Sequence, residues 1–185
     1  MQQRTTHLGG LQLRKIVVIG SGGAGKSVLS RTLGDITQIP VYHLDALYWK
    51  PGWEPTPDET WENLQRDLVQ QDEWILDGMY TKSLNIRLTA CDTIIFFDFP
   101  SWLTTYRVIK RGIRYHGETR PDLTEGCPEK LTWEFLKFVW TFRRNKRPSV
   151  IEKIRKFPGK DLITLRTPRD VTDLMERVRN EGDCL

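Results

Sequence analysis

The chain has 185 residues with 38% apolar side chains, three cysteines and a formal net charge of +4. This length supports one well-buried core and is short for two, no apolar run is long enough to span a membrane, and the first twelve residues lack an apolar signal core, so we expect one cytoplasmic domain. The odd, scattered cysteines argue against a disulfide framework and against a four-cysteine zinc site.

Positive charge is concentrated in the middle of the chain. Residues 104–160 hold fifteen Lys and Arg side chains against six Asp and Glu, whereas the rest of the chain is net acidic. Such a segment suits an anionic partner, which could be nucleotide phosphates or nucleic acid. The alternative is that these charges are simply solvated and keep the protein in solution.

Residues 1–13 show no periodicity, and we predict a flexible extension there, followed by a single domain over residues 14–185. The first regular element is the β-branched run Ile16–Ile19, which predicts a buried strand. A complete G-x-x-x-x-G-K-[ST] motif follows it directly, and this strand-to-helix setting is the one that a phosphate-binding loop requires. The motif residues are Gly20, Ser21, Gly22, Gly23, Ala24, Gly25, Lys26 and Ser27.

The chemistry of that motif explains its residue types. Glycines let backbone N–H groups converge on phosphate oxygens, and the helix that follows points its positive end at the same anion. Lys26 is expected to reach the β- and γ-phosphates, and the Ser27 hydroxyl to bind Mg²⁺. Val28, the next residue, is predicted to border the nucleotide, and Gly34 to end the helix.

A second strand is predicted over residues 39–44, ending at Asp45, where ligands of open parallel sheets bind. The aromatic, Pro- and Gly-rich residues 47–55 then predict a structured loop, serving either as a plug over the core or as a wall that contacts substrate. Tyr48 and Trp49 are the candidate substrate contacts. Thr56 is expected to cap the helix that follows.

Three more strands alternate with helices in the remaining sequence. They cover residues 74–77, 93–98 and 161–165, and the first two end in Asp77 and Asp98. Ser101 is expected to cap a helix, and residues 112–130 break the helical pattern and predict a mobile lid. Five short apolar strands that alternate with helices predict an α/β fold with a five-stranded parallel sheet flanked by helices.

A phosphate-binding loop needs an acid that holds the hydrated Mg²⁺. Asp77 is the first choice, with Asp45 and Asp98 as alternatives. Arginines around the lid are expected to neutralise transferred phosphate, since their forked donors suit phosphate oxygens. The pool consists of Arg107, Arg111, Arg114, Arg120, Arg143, Arg144 and Arg147.

Several motifs resemble those of known proteins. Residues 96–100 followed by Arg107 and Arg111 look like the strand, helix and lid start of adenylate kinases, and Arg166-Thr167-Pro168 falls where those enzymes cradle adenine. More closely, residues 43–49, 74–80 and 112–130 resemble the FlaR-type topology modulation proteins, a group related to adenylate kinase. The resemblance implies a P-loop nucleoside-triphosphate hydrolase fold of the adenylate kinase type, with Arg107, Arg166 and Pro168 beside adenine and Arg111 on the phosphates.

One departure from this pattern concerns the acceptor. Nucleoside monophosphate kinases follow Asp-Gly with Phe-Pro-Arg, whereas this chain continues Met79-Tyr80-Thr81. Arg87 is the candidate substitute for the missing arginine. The alternative is an acceptor hydroxyl held or activated by Asp45, as in small-metabolite kinases of related fold.

These observations favour an ATP- and Mg²⁺-dependent phosphotransferase acting on a small molecule or a nucleotide. Lys26, Asp77, Asp45 and Arg111 are its predicted catalytic residues, and Arg143 is assigned with Arg87 to the acceptor side. The alternatives are a nucleic-acid-binding regulator, suggested by the basic segment, and an ATP-binding switch without transfer chemistry.

Overall fold

The computed structural model describes residues 6–8, 11–115, 117 and 124–182. Arg120 and most of the middle of the predicted lid therefore lie outside the described residues. No helix in the described part of the chain is both long and apolar enough to cross a membrane.

The elements alternate along the chain, as expected for an α/β fold. The strands are β1 (Thr6–Leu8), β2 (Leu11–Leu13), β3 (Lys15–Gly20), β4 (Val41–His43), β5 (Trp49–Lys50), β6 (Glu54–Pro55), β7 (Trp74–Asp77), β8 (Thr93–Phe97) and β9 (Asp161–Leu165). The helices are α1 (Lys26–Thr37), α2 (Leu44–Tyr48), α3 (Asp58–Gln70), α4 (Leu84–Ala90), α5 (Ser101–Arg114), α6 (Trp133–Asn145), α7 (Arg147–Arg155) and α8 (Pro168–Gly182).

Five of these strands form the predicted parallel sheet, in the order β4-β7-β3-β8-β9. Successive side chains of the central strand β3 point to opposite faces of the sheet. Since residues 16–19 are fully buried, both faces are shielded from solvent there. One face packs on α1 and α8, and the other packs on α3, α4 and α7. The α/β fold with a five-stranded parallel sheet flanked by helices is confirmed.

The strand order determines where the phosphate loop lies. β3 lies between β7 and β8, so the loop that leaves its carboxyl end is flanked by the ends of both neighbours. Helices α5 and α6 pack against each other and reach the loop, because Thr104, Val108, Phe135 and Val139 lie beside its glycines. The loop is therefore enclosed by secondary structure on several sides.

The amino terminus differs from the flexible extension that was expected. β1 and β2 pair antiparallel, with Thr6 opposite Leu13 and Leu8 opposite Leu11. Leu13 is buried in the core cluster on the α8 side. The burial of Leu13 ties this end of the hairpin to the domain.

The predicted end of α1 at Gly34 is wrong, because the helix continues to Thr37. A Cβ at Gly34 would lie 2.4 Å from Cγ2 of Val41 on β4. Gly34 is therefore explained by close approach of helix and strand rather than by a helix stop. The left-handed residue that ends the helix is Gln38, with φ of 62°.

Two predicted helix caps are also wrong. The Thr56 hydroxyl donates to the Tyr48 carbonyl at 2.8 Å, and α3 begins two residues later without a side-chain cap. Ser101 is the first residue of α5, which likewise has no side-chain cap. In both cases a proline stands at the cap position, so the chain enters the helix with a fixed φ and without a capping hydroxyl.

The second strand is shorter than predicted. β4 ends at His43, and Asp45 lies in the first turn of the short helix α2. The aromatic stretch that follows was expected to be an irregular loop, but β5 and β6 pair antiparallel as a small hairpin, with Lys50 opposite Glu54. Asp45 still lies next to the carboxyl end of the sheet.

Candidate functional site

The phosphate loop has the backbone conformation that its glycines permit. Gly20, Gly23 and Gly25 have φ values of 145°, 74° and 98°. A Cβ at Gly23 would lie 2.5 Å from the Thr104 carbonyl oxygen, so no side chain fits there. Helix α1 begins directly after the left-handed Gly25, and no side chain caps it. This arrangement directs a helix N-terminus at the space in front of the loop, which is the geometry of an anion site.

Two basic side chains lie against the loop backbone. Lys26 Nζ donates to the Ser21 carbonyl at 3.0 Å. Arg107 Nη1 donates to the Ala24 carbonyl at 3.2 Å, and its guanidinium lies over the Phe99 ring, 5.2 Å from the centroid. Both predicted nucleotide contacts are thus beside the loop.

A cavity of about 390 Å³ opens in front of the loop. It brings together predicted residues from the loop, from α1 and α2, and from α5. It also includes side chains that the sequence did not single out, namely Arg31, Met79, Tyr115 and Phe138, together with Phe135 of α6. The predicted residues on its wall are Gly20, Gly22, Gly23, Gly25, Lys26, Ser27, Val28, Asp45, Arg107 and Arg111. We call this space the loop cavity.

A second cavity of about 420 Å³ adjoins the first. Its lining residues are Asp45, Trp49, Trp53, Arg111, Glu129, Lys130, Thr132 and Phe135. Asp45, Arg111 and Phe135 border both cavities. We call the second space the aromatic cavity. A group bound in one cavity would therefore meet a group bound in the other at Asp45 and Arg111.

Asp45 is held at this junction by Tyr80. The Tyr80 hydroxyl donates to Asp45 Oδ1 at 2.8 Å. Burial raises the pKa of Tyr80 well above its usual range, and the charge of Asp45 adds to the effect. Tyr80 therefore stays protonated and remains a donor, which fixes one carboxylate oxygen of a residue that lines both cavities.

Arg111 is held at the same junction by Glu129. Its Nη2 and Nε atoms lie 2.9 and 3.1 Å from Glu129 Oε1, and its guanidinium lies over Phe135 at 6.0 Å from the ring centroid. Glu129 is 5% exposed. A carboxylate this deeply buried is stabilised only if a cation pairs with it, so Glu129 and Arg111 form one unit.

The outer wall of the aromatic cavity consists of two chain segments that are distant in sequence. Trp53 Nε1 donates to the Pro128 carbonyl at 3.0 Å, the Gly52 amide donates to the Gly126 carbonyl at 2.9 Å, and Cys127 Sγ donates to the Lys50 carbonyl at 3.1 Å. These bonds join the β5–β6 hairpin to residues 124–130 of the predicted lid. The lid segment thus closes one side of the cavity.

Asp77, the first choice for the metal acid, is 2% exposed and does not line the loop cavity. It lies between two strands, in register with Val18 and with His43, and its Oδ2 is 3.0 Å from His43 Nδ1. His43 was not predicted as a site residue. The available signal was its position two residues before Asp45, within residues 43–49.

Mg²⁺ takes few protein ligands and keeps most of its water, so one hydroxyl and one carboxylate beside a phosphate loop suffice to hold it. Ser27 and Asp45 both line the loop cavity and supply these groups. Among the described residues, no set of three or more His, Cys, Asp or Glu side chains forms a dedicated metal cluster. The site therefore fits a phosphate-bound Mg²⁺ and not an all-protein cage.

The placement of Arg87 contradicts its assignment to the acceptor side. Its side chain is fully buried, and it donates to the carbonyls of Gly78 and Tyr80 at 2.8 and 3.2 Å. Burial lowers the pKa of Arg87 to about 10. The guanidinium holds the backbone after β7 in place and offers no surface to a ligand.

Arg143 does not border either cavity. It lies 3.5 Å from Asp98, and Arg147 binds the same carboxylate with two contacts of 2.7 Å. Asp98 is buried, and this hydrogen bonding raises the pKa of Arg147. Asp98 and Arg143 therefore belong to an ion-pair group that ties α6 and α7 to the end of β8.

Three further predicted residues lie away from the two cavities. Tyr48 packs in an aromatic cluster with Trp61 and Tyr80, at centroid distances of 5.0 and 4.7 Å. Arg166 and Pro168 follow β9, at the edge of the sheet, and do not line the loop cavity. Trp49, in contrast, lines the aromatic cavity as expected for a substrate contact.

Comparison with known proteins supports the fold. No protein-family model and no curated protein sequence matches the chain. Among solved structures, a gluconokinase from Sinorhizobium meliloti 1021 aligns over 92% of both chains at 15% identity, with a TM-score of 0.51. Shikimate kinase from Acinetobacter baumannii, solved in complex with shikimate, aligns over 90% of both chains at 16% identity, with a TM-score of 0.56. At such identities the likeness shows only that the chain shares the fold of these two proteins.

Proposed function

We propose that the chain is an ATP- and Mg²⁺-dependent kinase that transfers phosphate to a hydroxyl group of a small molecule. The observation that carries this proposal is the junction of the two cavities. One contains a complete phosphate loop, the other has an aromatic wall, and Asp45 and Arg111 border both. A donor and an acceptor bound in the two spaces would meet there, which is the positioning that phosphoryl transfer requires.

On the donor side, backbone N–H groups of residues 20–27 bind the phosphates. Lys26 leaves the Ser21 carbonyl, which it contacts in this structure, and binds the β- and γ-phosphates. Arg107 lies beside the nucleotide, and Arg111 contacts the transferred phosphoryl group from the junction. Forked, fixed cations at this point neutralise charge that spreads over the phosphoryl oxygens. Arg166 and Pro168 are proposed for the adenine side.

Ser27 would hold Mg²⁺ directly, with Asp45 or Asp77 as its carboxylate. Mg²⁺ held by these residues would supply positive charge that neutralises the phosphates. Because Asp77 is buried and bonded to His43, it acts through an intervening water or by orienting His43. Because the Asp45 oxygen that does not bind Tyr80 is assigned to the acceptor hydroxyl, we assign the carboxylate of the metal site to Asp77.

On the acceptor side, Asp45 accepts a hydrogen bond from the acceptor hydroxyl. One of its oxygens is occupied by Tyr80, so the other orients the hydroxyl and takes its proton. The hydroxyl oxygen forms a bond to the γ-phosphorus while the bond from that phosphorus to the β,γ-bridging oxygen breaks, and ADP leaves. Trp49 forms part of the wall against which the acceptor lies.

We further propose a relationship to the FlaR-type topology modulation proteins. Two of the three segments that carry this resemblance contact each other. His43 contacts Asp77, and Tyr80 contacts Asp45. We propose one domain over residues 14–185, with residues 112–130 as its mobile lid. ATP and Mg²⁺ are abundant in the cytoplasm, which is the compartment that we propose.

The experiment measures phosphate transfer from γ-labelled ATP to a panel of nucleotides, nucleosides and small hydroxyl metabolites in the presence of Mg²⁺. We expect a labelled product with the wild type and a loss of at least about 100-fold with Lys26→Ala, since this lysine acts on the transferred charge. Lys156→Ala is the matched control, because Lys156 is exposed on the far side of α7, where it pairs with Glu152. Full activity of Lys26→Ala would contradict the mechanism.

A further inference from the structure

We infer that the acceptor is an uncharged ring compound that carries a hydroxyl group, bound in the aromatic cavity with its face against indole rings. The inference rests on the proposed function and adds the chemical class of the acceptor. Nucleosides and free sugars share this chemistry, and the experiment below distinguishes them.

The wall of the aromatic cavity has the shape and composition of a ring-binding site. The Trp49 and Trp53 rings meet edge to face, with centroids 5.4 Å apart and an interplanar angle of 68°. Phe135 lines the same cavity. Aromatic faces bind flat rings and the C–H faces of sugars, while the few polar groups orient the ligand. A volume of about 420 Å³ is large enough for one ligand of this size.

This wall is fixed in place at Trp53. Trp53 has a φ of 65°, a conformation that bulky residues rarely adopt, and it follows Gly52 at φ of 81°. Its indole N–H is bound to the Pro128 carbonyl. Backbone strain of this kind persists only where surrounding contacts hold it, and it is frequent at ligand sites. The fold thus maintains the indole at this position despite the strain.

Charge also favours a neutral ligand. Among the residues that the structure describes, two carboxylates and two cations border the cavity, so the charges of these side chains sum to zero. Arg111, the cation at the junction, forms an ion pair with the buried Glu129. Lys130 is exposed to water, where its charge is screened. An anionic group in this cavity would be repelled by the carboxylates of Asp45 and Glu129, which both line it. A neutral ligand avoids this cost and still offers its hydroxyl to Asp45.

The test compares binding within pairs of related compounds in which one member is neutral and the other carries an anionic group. The pairs are thymidine and thymidine 5′-monophosphate, glucose and glucuronate, and methyl shikimate and shikimate. Titration calorimetry is performed on the full chain with Mg²⁺ and a saturating non-hydrolysable ATP analogue, so that ligands cannot enter the loop cavity. We expect a neutral member to bind at least about tenfold more tightly than its anionic partner, a difference of about 1.4 kcal/mol.

Variants separate the roles of charge and stacking. Glu129→Gln removes the buried negative charge beside Arg111, so it should reduce the discrimination against the anion by about tenfold or more. Glu125→Gln, at an exposed acid of the same segment, should leave it unchanged. Trp49→Ala should weaken the neutral ligand by about tenfold, whereas Trp140→Ala, at an exposed tryptophan of α6, should have no effect.

The outcomes are distinguishable from failure of the proposed function, because binding is measured without transfer. A neutral ligand that binds but never becomes phosphorylated would leave this inference intact and refute the kinase. Phosphorylation of the anionic members would support the kinase and refute this inference. Equal or tighter binding of the anionic members, or no binding by any neutral member, would overturn the inference.

Discussion

Arg87 and Tyr80 explain how single residues position the candidate site without touching a ligand. The buried Arg87 guanidinium binds the carbonyls of Gly78 and Tyr80, and the Tyr80 hydroxyl binds Asp45. The sequence indicated an arginine near the site, but its role depends on burial, which a single sequence does not reveal. The consequence is that Asp45 is held in place at the junction of the two cavities.

Cys91, directly after α4, gives a residue-scale prediction about stability and pH. Burial raises the pKa of Cys91 from 9.0 to about 12. Above pH 9 the unfolded chain releases the thiol proton while the folded chain keeps it, so stability falls as the pH rises from 9 towards 12. By pH 10 the loss from this group is about 1 kcal/mol. Urea unfolding at pH 8 and pH 10 measures it.

The comparison variant is Cys91→Ala, which cannot titrate at this position. We expect the variant to lose about 1 kcal/mol less than the wild type over the same interval, whatever its stability at pH 8. Arg87, whose pKa is lowered to about 10, acts in the opposite sense, but it is present in both proteins and its contribution cancels in the comparison. Identical losses for both proteins would contradict the assignment to Cys91.

At the scale of elements, the sheet was predictable because its strands are local apolar runs bounded by turn residues. The aromatic cavity was not, because it depends on contacts between residues 75 and 77 positions apart, such as Trp53 with Pro128 and Lys50 with Cys127. The phosphate loop was predictable because the motif carries its own geometry. The hairpin β5–β6 was missed, since its turn places a tryptophan in the left-handed region.

Gly34 supplies the element-scale prediction, for the packing of α1 on β4. Alanine normally stabilises a helix interior by about 1 kcal/mol relative to glycine, but here its Cβ would lie 2.4 Å from Val41 Cγ2. We expect Gly34→Ala to destabilise the protein by about 1–2 kcal/mol in urea unfolding, because the clash outweighs the propensity.

A double-mutant cycle with Val41→Ala identifies the cause. Removing the Val41 methyl groups should relieve the clash, so the two changes should couple favourably by about 1 kcal/mol or more. Simple additivity, or a stabilising Gly34→Ala, would show that helix and strand do not approach as closely as described.

At the scale of the whole molecule, the basic segment surrounds the proposed nucleotide site. Arg107 and Arg111 border the loop cavity, and Arg147 is neutralised by the buried Asp98. Part of the excess positive charge is therefore used inside the fold, and part faces the space where phosphates are expected. This distribution accounts for the charge asymmetry without requiring nucleic acid.

ATP with Mg²⁺ should stabilise the whole fold. At about 100 times the dissociation constant, a ligand of the native state adds about 2.7 kcal/mol, which corresponds to a rise in Tm of about 5–10 °C for a chain of this size. Differential scanning fluorimetry should detect this shift in the wild type and in Lys156→Ala. Absence of a shift at millimolar ATP would argue against a nucleotide site.

The central claim is that donor and acceptor meet at Asp45, and transfer by Asp45→Asn tests it most directly. With γ-labelled ATP and an acceptor from the neutral panel, the wild type should form labelled product. Asp45→Asn should bind ATP within about twofold of the wild type but transfer at least about 100-fold more slowly, the scale of a lost general base. Wild-type transfer by the variant, or release of only inorganic phosphate by the wild type with every acceptor, would contradict the account.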